Sequence, residues 1–264
     1  MTSSRLWDRA AGPLVRADRH NGRRRAEIVA LRAAGLPDVE ELFAFMRDAE
    51  LRFETLRMRI EERTFTTRGE HLVAMDVAIR HPGHARVTTT EPGGGTAGNY
   101  EIWVSDGAVV RTYSGPHRLG TERPVRPSVR GLGDPDFPGF ARVYEPLTAL
   151  PMETLPETFV HPAGYAQNVL ATGRCWISGT DVVAGREAIV LECDHPRAVE
   201  LVADRPDFHV QVAVDRGDGV ILRLVETIAG DVTREARVVA YEADPPLPDS
   251  IFTFEFPEGT SILY

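Results

Sequence analysis

From residue 38 the apolar positions recur at helical spacing: Val39, Leu42, Phe43, Met46, Ala49 and Phe53. Asp38, with Glu41 three residues on, forms a capping-box signature. The spacing predicts an amphipathic helix over 38–53 that buries one stripe and exposes Glu40, Arg47 and Glu50. The period then changes to two. Leu56, Met58 and Ile60 alternate with Arg57, Arg59 and Glu61, and Val73, Met75, Val77 and Ile79 alternate with Ala74, Asp76, Ala78 and Arg80. Alternation of this kind marks half-buried strands. A turn at 67–70 joins them into a hairpin.

A short third strand over 87–90 ends at Pro92 and the glycines that follow. Strands over 100–105 and 108–113 flank Asp106-Gly107, a strong short hairpin signal. Residues 114–164 lose all periodicity and are rich in Pro and Gly; they predict a long loop with short helical pieces near 145–170. Strands follow at about 173–179, 186–194, 199–204, 208–215, 219–228, 233–243 and 251–256. In the last of these Phe252, Phe254 and Phe256 share one face. One helix followed by an unbroken run of hairpins predicts a mainly β (α+β) fold: an incomplete antiparallel barrel, or curved sheet, wrapped around the N-terminal helix.

Charge divides the chain in two. Residues 1–37 carry +5, with Arg23-Arg24-Arg25 at their centre, and the remainder carries −14. The expectation is a basic, poorly ordered arm over 1–37, followed by a single β domain over 38–264 with its long loop at 114–164. An acidic body argues against nucleic-acid binding, which needs a concentrated basic surface. All 30 basic residues are Arg, a mark of GC-rich coding such as many actinobacteria have. No signal peptide and no apolar run near the ~18 residues of a membrane span is present. As written the chain reads as cytoplasmic and without an integral membrane segment; a start upstream would make it exported.

The order of certain segments resembles a known superfamily. A helix runs directly into the strand beginning at Leu56. Then come Ile102-Trp103-Val104-Ser105-Asp106-Gly107, Gly179-Thr180-Asp181 with Ala184-Gly185-Arg186-Glu187-Ala188, Ala213-Val214-Asp215-Arg216 with Gly219, and Leu247-Pro248-Asp249-Ser250-Ile251-Phe252. Over about residues 38–264 this resembles the LolA/LolB/RseB superfamily of lipoprotein-carrier-like domains. The resemblance implies an incomplete barrel, capped by helices, whose apolar hollow accepts acyl chains. Members carry lipoproteins or glycolipids, or sense envelope stress through an anti-sigma factor, and one in violacein biosynthesis is an enzyme. The carriers work outside the cytoplasmic membrane, whereas no export signal is read here.

On that basis the chain is expected to be a non-enzymatic carrier of a hydrophobic small molecule or lipid. The alternatives are an interaction module that contacts a regulatory protein and an enzyme of specialised metabolism on the same fold. The expected lining of the hollow is Phe43, Met46, Leu56, Met58, Ile60, Met75, Val77, Ile79, Phe252 and Phe254. A dry, filled core is the competing reading of the same residues. Arg118, Arg123, Arg126 and Arg130 would meet an anionic head group at its mouth, or serve only to solubilise the loop. Cys175 and Cys193 fall on a hairpin centred near Ala184. A register that pairs them also pairs Ile177 with Leu191, bringing the thiols within disulfide range, with two free thiols as the alternative. No catalytic motif and no metal or cofactor site is read. His81 and His84 belong to a turn, and Asp194 and His195, adjacent in a strand, point to opposite faces. The polar clusters at 194–197 and 204–209 therefore read as surface turns.

Overall fold

The computed structural model describes residues 31, 35–92, 99–125, 146–197 and 207–263. The basic triplet, the strand expected at 199–204, Arg126 and Arg130 lie outside them. Helix α1 (Val39–Arg47) begins with both halves of the capping box: Glu41 N donates to Asp38 Oδ1 at 2.8 Å, and Asp38 N donates to Glu41 Oε2 at 3.1 Å. It ends in a tighter 3-10 turn over Ala49–Leu51. That tightening rotates Glu50, expected at the surface, into the interior, where it is 1% exposed. The buried stripe is Leu42, Phe45, Met46 and Ala49; Phe43 packs against the core but is only partly covered.

Twelve strands form one sheet among the described residues. They are β1 (Thr55–Thr66), β2 (Gly69–Arg80), β3 (His84–Thr90), β4 (Tyr100–Asp106), β5 (Val109–Ser114), β6 (Leu119–Pro124), β7 (Arg174–Val183), β8 (Arg186–Asp194), β9 (Phe208–Asp215), β10 (Ile221–Ile228), β11 (Asp231–Ala243) and β12 (Ser261–Leu263). Their order is β12-β6-β5-β4-β3-β2-β1-β11-β10-β9-β8-β7. Every neighbouring pair is antiparallel except β12 with β6. The two ends do not join, so the barrel stays open, as expected. The sheet bends strongly: Arg223 on β10 reaches Asp181 on β7 at 2.6 Å, although flat strands three places apart stand about 14 Å from one another.

Two segments depart from the expected elements. Within the aperiodic stretch 114–164 the chain forms β6 and two short helices, α2 (Leu155–Val160) and α3 (Pro162–Asn168). The helices match the expected pieces, but β6 was unreadable because Leu119-Gly120-Thr121-Glu122-Arg123 carries no apolar period. The strand expected at 251–256 is instead a one-turn 3-10 helix, Asp249–Phe252, followed by extended chain. Pro248 caps the start of that turn in extended backbone, φ −70° and ψ 152°.

The segments that carried the resemblance meet in space. Arg186 grips the buried Asp215 carboxylate with two bonds, 2.6 and 2.8 Å, and reaches Asp218 at 2.9 Å. Tyr241 donates to Asp218 at 2.7 Å. Gly219 adopts φ +80°, and a Cβ there would sit 3.0 Å from the Phe45 ring. These motif residues brace the β9–β10 turn against α1.

Candidate functional site

The register gives the β1–β6 part of the sheet two distinct faces. The core face carries Leu56, Met58 and Ile60 on β1, Met75, Val77 and Ile79 on β2, Ala85 and Val87 on β3, and Trp103 on β4. All but Trp103 are buried in one continuous apolar cluster with α1, α2, Leu191, Val212 and Val238; Trp103 packs against its border. Most of the expected lining thus forms a filled core: Met46, Leu56, Met58, Ile60, Val77 and Ile79 are at most 1% exposed. Of the expected residues, Met75 also borders open space.

That open space starts where the filled core ends. Beyond Trp103 the core face continues through Thr112 and Ser114 on β5 and Leu119 and Thr121 on β6. A groove of about 650 Å³ lies over this surface. Val73, Met75, Val87 and Trp103 form its inner floor, and Pro151, Glu153, Thr154, Leu155 and Pro156 form its wall. Thr112 and Thr121 share a hydroxyl hydrogen bond of 2.7 Å across its floor. At one end Arg234 pairs with Glu62 at 2.6 Å, and at the rim Ser114 donates to Glu101 at 3.3 Å. The surface is therefore mixed: apolar side chains interspersed with hydroxyls, with its charged groups at the margins.

The wall is fixed by buried polar contacts. Glu50 accepts from Leu147 N at 2.7 Å and faces His161 Nδ1 at 3.4 Å. Thr148, wholly buried, meets His81 Nδ1 at 2.7 Å and accepts from Gly83 N at 2.8 Å, and its carbonyl oxygen lies 2.9 Å from His161 Nε2. Buried groups satisfied in this way resist displacement, since stripping either partner leaves the other desolvated. His81 thus serves the wall, and His84 bonds the Pro82 carbonyl of its own turn.

The C-terminal phenylalanines sit on the other face. Ile102 and Val104 on β4, with Tyr113 on β5, point away from the groove and pack with Phe254 and Phe256. Phe252 lies against His84, with Arg80 over its ring at 4.9 Å. Gly120 makes room for this strap: a Cβ there would lie 2.5 Å from Phe256. Phe252 and Phe254 therefore do not line the hollow. The chain then turns round the β6 edge, and Leu263 of β12 contributes to the groove rim.

Arg118 and Arg123 are exposed, Arg118 in the β5–β6 turn with φ 48° and Arg123 on β6. Arg123 lies on the groove side by alternation with Thr121 and Leu119, but neither side chain contacts the groove. Cys175 and Cys193 stand directly opposite in the β7–β8 ladder, as do Ile177 and Leu191. The two expected polar clusters meet through one residue of each: His209 binds Asp194 through Nδ1 and Glu192 through Nε2, both at 2.7 Å. Burial pulls the His209 pKa down, but the hydrogen bonds and charges of Asp194 and Glu192 outweigh it and raise the value above the usual one. Sequence reading missed this because Asp194 and His209 are 15 residues apart; only the β8–β9 register joins them.

Among the described residues the chain thus forms one open, mainly antiparallel sheet with short covering helices. Similar solved structures include the MucA/MucB complex of Pseudomonas aeruginosa, at 12% identity and TM-score 0.46, covering 82% of this chain and 61% of the matched chain. An uncharacterised conserved protein of Thermus thermophilus is similar at 11% identity and TM-score 0.47, covering 85% and 98%. A LolA superfamily protein of Nitrosomonas europaea is similar at 10% identity and TM-score 0.32, covering 83% and 99%. The chain thus spans about three fifths of the length of the MucB chain it matches. No protein-family model and no curated protein matches the chain. No helix among the described residues is long and apolar enough to cross a membrane.

Proposed function

We propose that the chain is a non-catalytic binding protein that takes an amphiphilic small molecule or lipid into the groove between β2–β6 and the lead-in to α2. The observation that carries this reading is the contrast along one face of one sheet. Beneath α1 it is packed solid, while from Met75 and Val87 across Trp103 to β6 it leaves about 650 Å³ open. A cleft of that size, apolar with a few convergent hydroxyls, suits an acyl or aromatic body with a hydrogen-bonding end. Burying such a body is favourable in proportion to the apolar area removed from water. Arg118 and Arg123 are proposed to favour an anionic head group through their charge, without touching the groove floor.

The test is uptake of N-phenyl-1-naphthylamine, followed by its fluorescence and by displacement with a fatty acid. The Thr112→Trp variant fills the floor and is expected to weaken uptake at least tenfold, with the midpoint of thermal unfolding changed by no more than about 3 °C. Equal uptake by the variant would rule the groove out. A second reading, contact with a regulatory protein, has its own support in β7, which ends the sheet among the described residues and exposes Trp176 and Val182. Loss of a co-purifying partner in Val182→Lys, with probe uptake intact, would favour it.

A further inference from the structure

We propose that Cys175 and Cys193 are an oxidative modification site, closing to a disulfide by reaction with a small disulfide that enters from the β7 edge of the sheet. These are the only two cysteines of the chain. They occupy directly opposed positions on β7 and β8, with Sγ atoms 3.0 Å apart. Opposed antiparallel residues have Cα atoms about 4.5–5.5 Å apart, inside the range a disulfide spans, so closure needs the sulfurs to approach by only about 1 Å.

The two thiols differ in access. Cys193 is fully buried beneath Gly173: a Cβ at that position would lie 2.7 Å from its sulfur. No reagent reaches it directly. Cys175 is half-buried on β7, the last strand of the sheet, which has no neighbour on its other side among the described residues. The hydrogen bond between the sulfurs lowers the Cys175 thiol from its ordinary range, and the same bond, with burial, raises Cys193. The accessible member is therefore the one that gives up its proton more readily, and thiolates are the attacking species.

With oxidised glutathione the chemistry has two steps. The Cys175 thiolate attacks one glutathione sulfur, forming a mixed disulfide and releasing the other half as a thiolate. Cys193 gives up its proton to that thiolate and attacks Cys175 Sγ, expelling the second glutathione. Counting the proton that Cys175 releases on becoming a thiolate, which the second glutathione thiolate takes up, the protein loses two electrons and two protons and the small disulfide gains both. The local structure tolerates this loss of donors. Leu170 O lies within reach of both sulfurs, at 3.1 and 3.3 Å, and accepts from Gly173 N at 3.0 Å, so it retains a backbone donor after oxidation.

The experiment treats the folded full chain with oxidised glutathione and reads its intact mass and melting temperature. The expected product is a monomer lighter by two hydrogens, melting about 5–10 °C higher because the hairpin loop is closed in the unfolded state. Dithiothreitol should reverse both changes. In Cys193→Ala nothing resolves the first adduct, so one glutathione stays on Cys175. In Cys175→Ala the buried thiol remains unmodified until denaturant is added. A wild-type chain that stays reduced, keeps glutathione or dimerises through sulfur would overturn the pairing. Modification of folded Cys175→Ala, or none in Cys193→Ala, would overturn the order of attack.

Discussion

The two halves of the core face are built from one continuous sheet yet end in opposite states. On β1 and β2 the residues that face α1 are Leu, Met, Ile and Val, and they pack into a filled core. On β5 and β6 the same face presents Thr112, Ser114, Thr121 and Leu119, while the apolar members of β4 and β5, Ile102, Val104 and Tyr113, point to the back. There the C-terminal strap covers them with Phe254 and Phe256. The apolar side of the sheet therefore changes over at Trp103. A sheet that buries opposite faces at its two ends can keep a groove open without unfolding, because each half has its own cover.

The sharpest way to break this comparison is to truncate one residue in each half. Ile60→Ala, in the filled half, is expected to destabilise by about 2–5 kcal/mol, whereas Thr89→Ala on the groove floor should change stability by less than about 1 kcal/mol. Urea unfolding measures both; equal losses would mean that the groove is packed like the core. Next in size is Gly120→Ala, which drives a methyl group into Phe256 and should cost about 1–3 kcal/mol. If the strap only rests on the back face, that variant will unfold at the wild-type denaturant concentration.

A third prediction concerns the β8–β9 ladder, well away from the groove. Because the folded His209 pKa is raised, its pairing with Asp194 and Glu192 contributes stability that is complete below about pH 6.5, the unfolded value, and fades as pH rises through the folded one. The melting difference between wild type and His209→Gln should thus be larger at about pH 5.5 than at about pH 9. A difference independent of pH would contradict the ion pairs. The smallest expected effect is at the rim. Replacing Arg118 and Arg123 by Ser should weaken an anionic amphiphile severalfold and a neutral one hardly at all, since exposed charges act through screened fields. Competition titrations with the two ligand types, at low and high salt, check it.

Much of the fold was legible because it depends on local rules. The capping box at Asp38 and Glu41 and the period-two run of the first hairpin each follow from neighbours in sequence. The Cys175–Cys193 pairing does not follow from its turn alone: the Val183–Arg186 register, carried along the ladder, would set Cys175 against Asp194, and the irregularity between Ile177 and Gly179 brings it opposite Cys193. The site was far less legible. Met58, Ile60 and Val77 are as apolar as any groove lining would be, and nothing in the alternation separates a filled space from an open one. Phe252 and Phe254 alternate as a strand does, but they lie in a strap on the opposite face, packed against Tyr113 and His84. The wall of the groove is posted by Glu50, Thr148 and His161, residues of ordinary type whose partnership no local pattern announces.

Capping, turn chemistry and alternation act between near neighbours, so the order of residues was enough to specify one capped helix and a succession of antiparallel hairpins. Which face each hairpin buries came only with the assembled molecule. A period of two defines two faces without saying which one is covered, and the cover over β4 and β5 comes from the distant strap that carries Phe254 and Phe256.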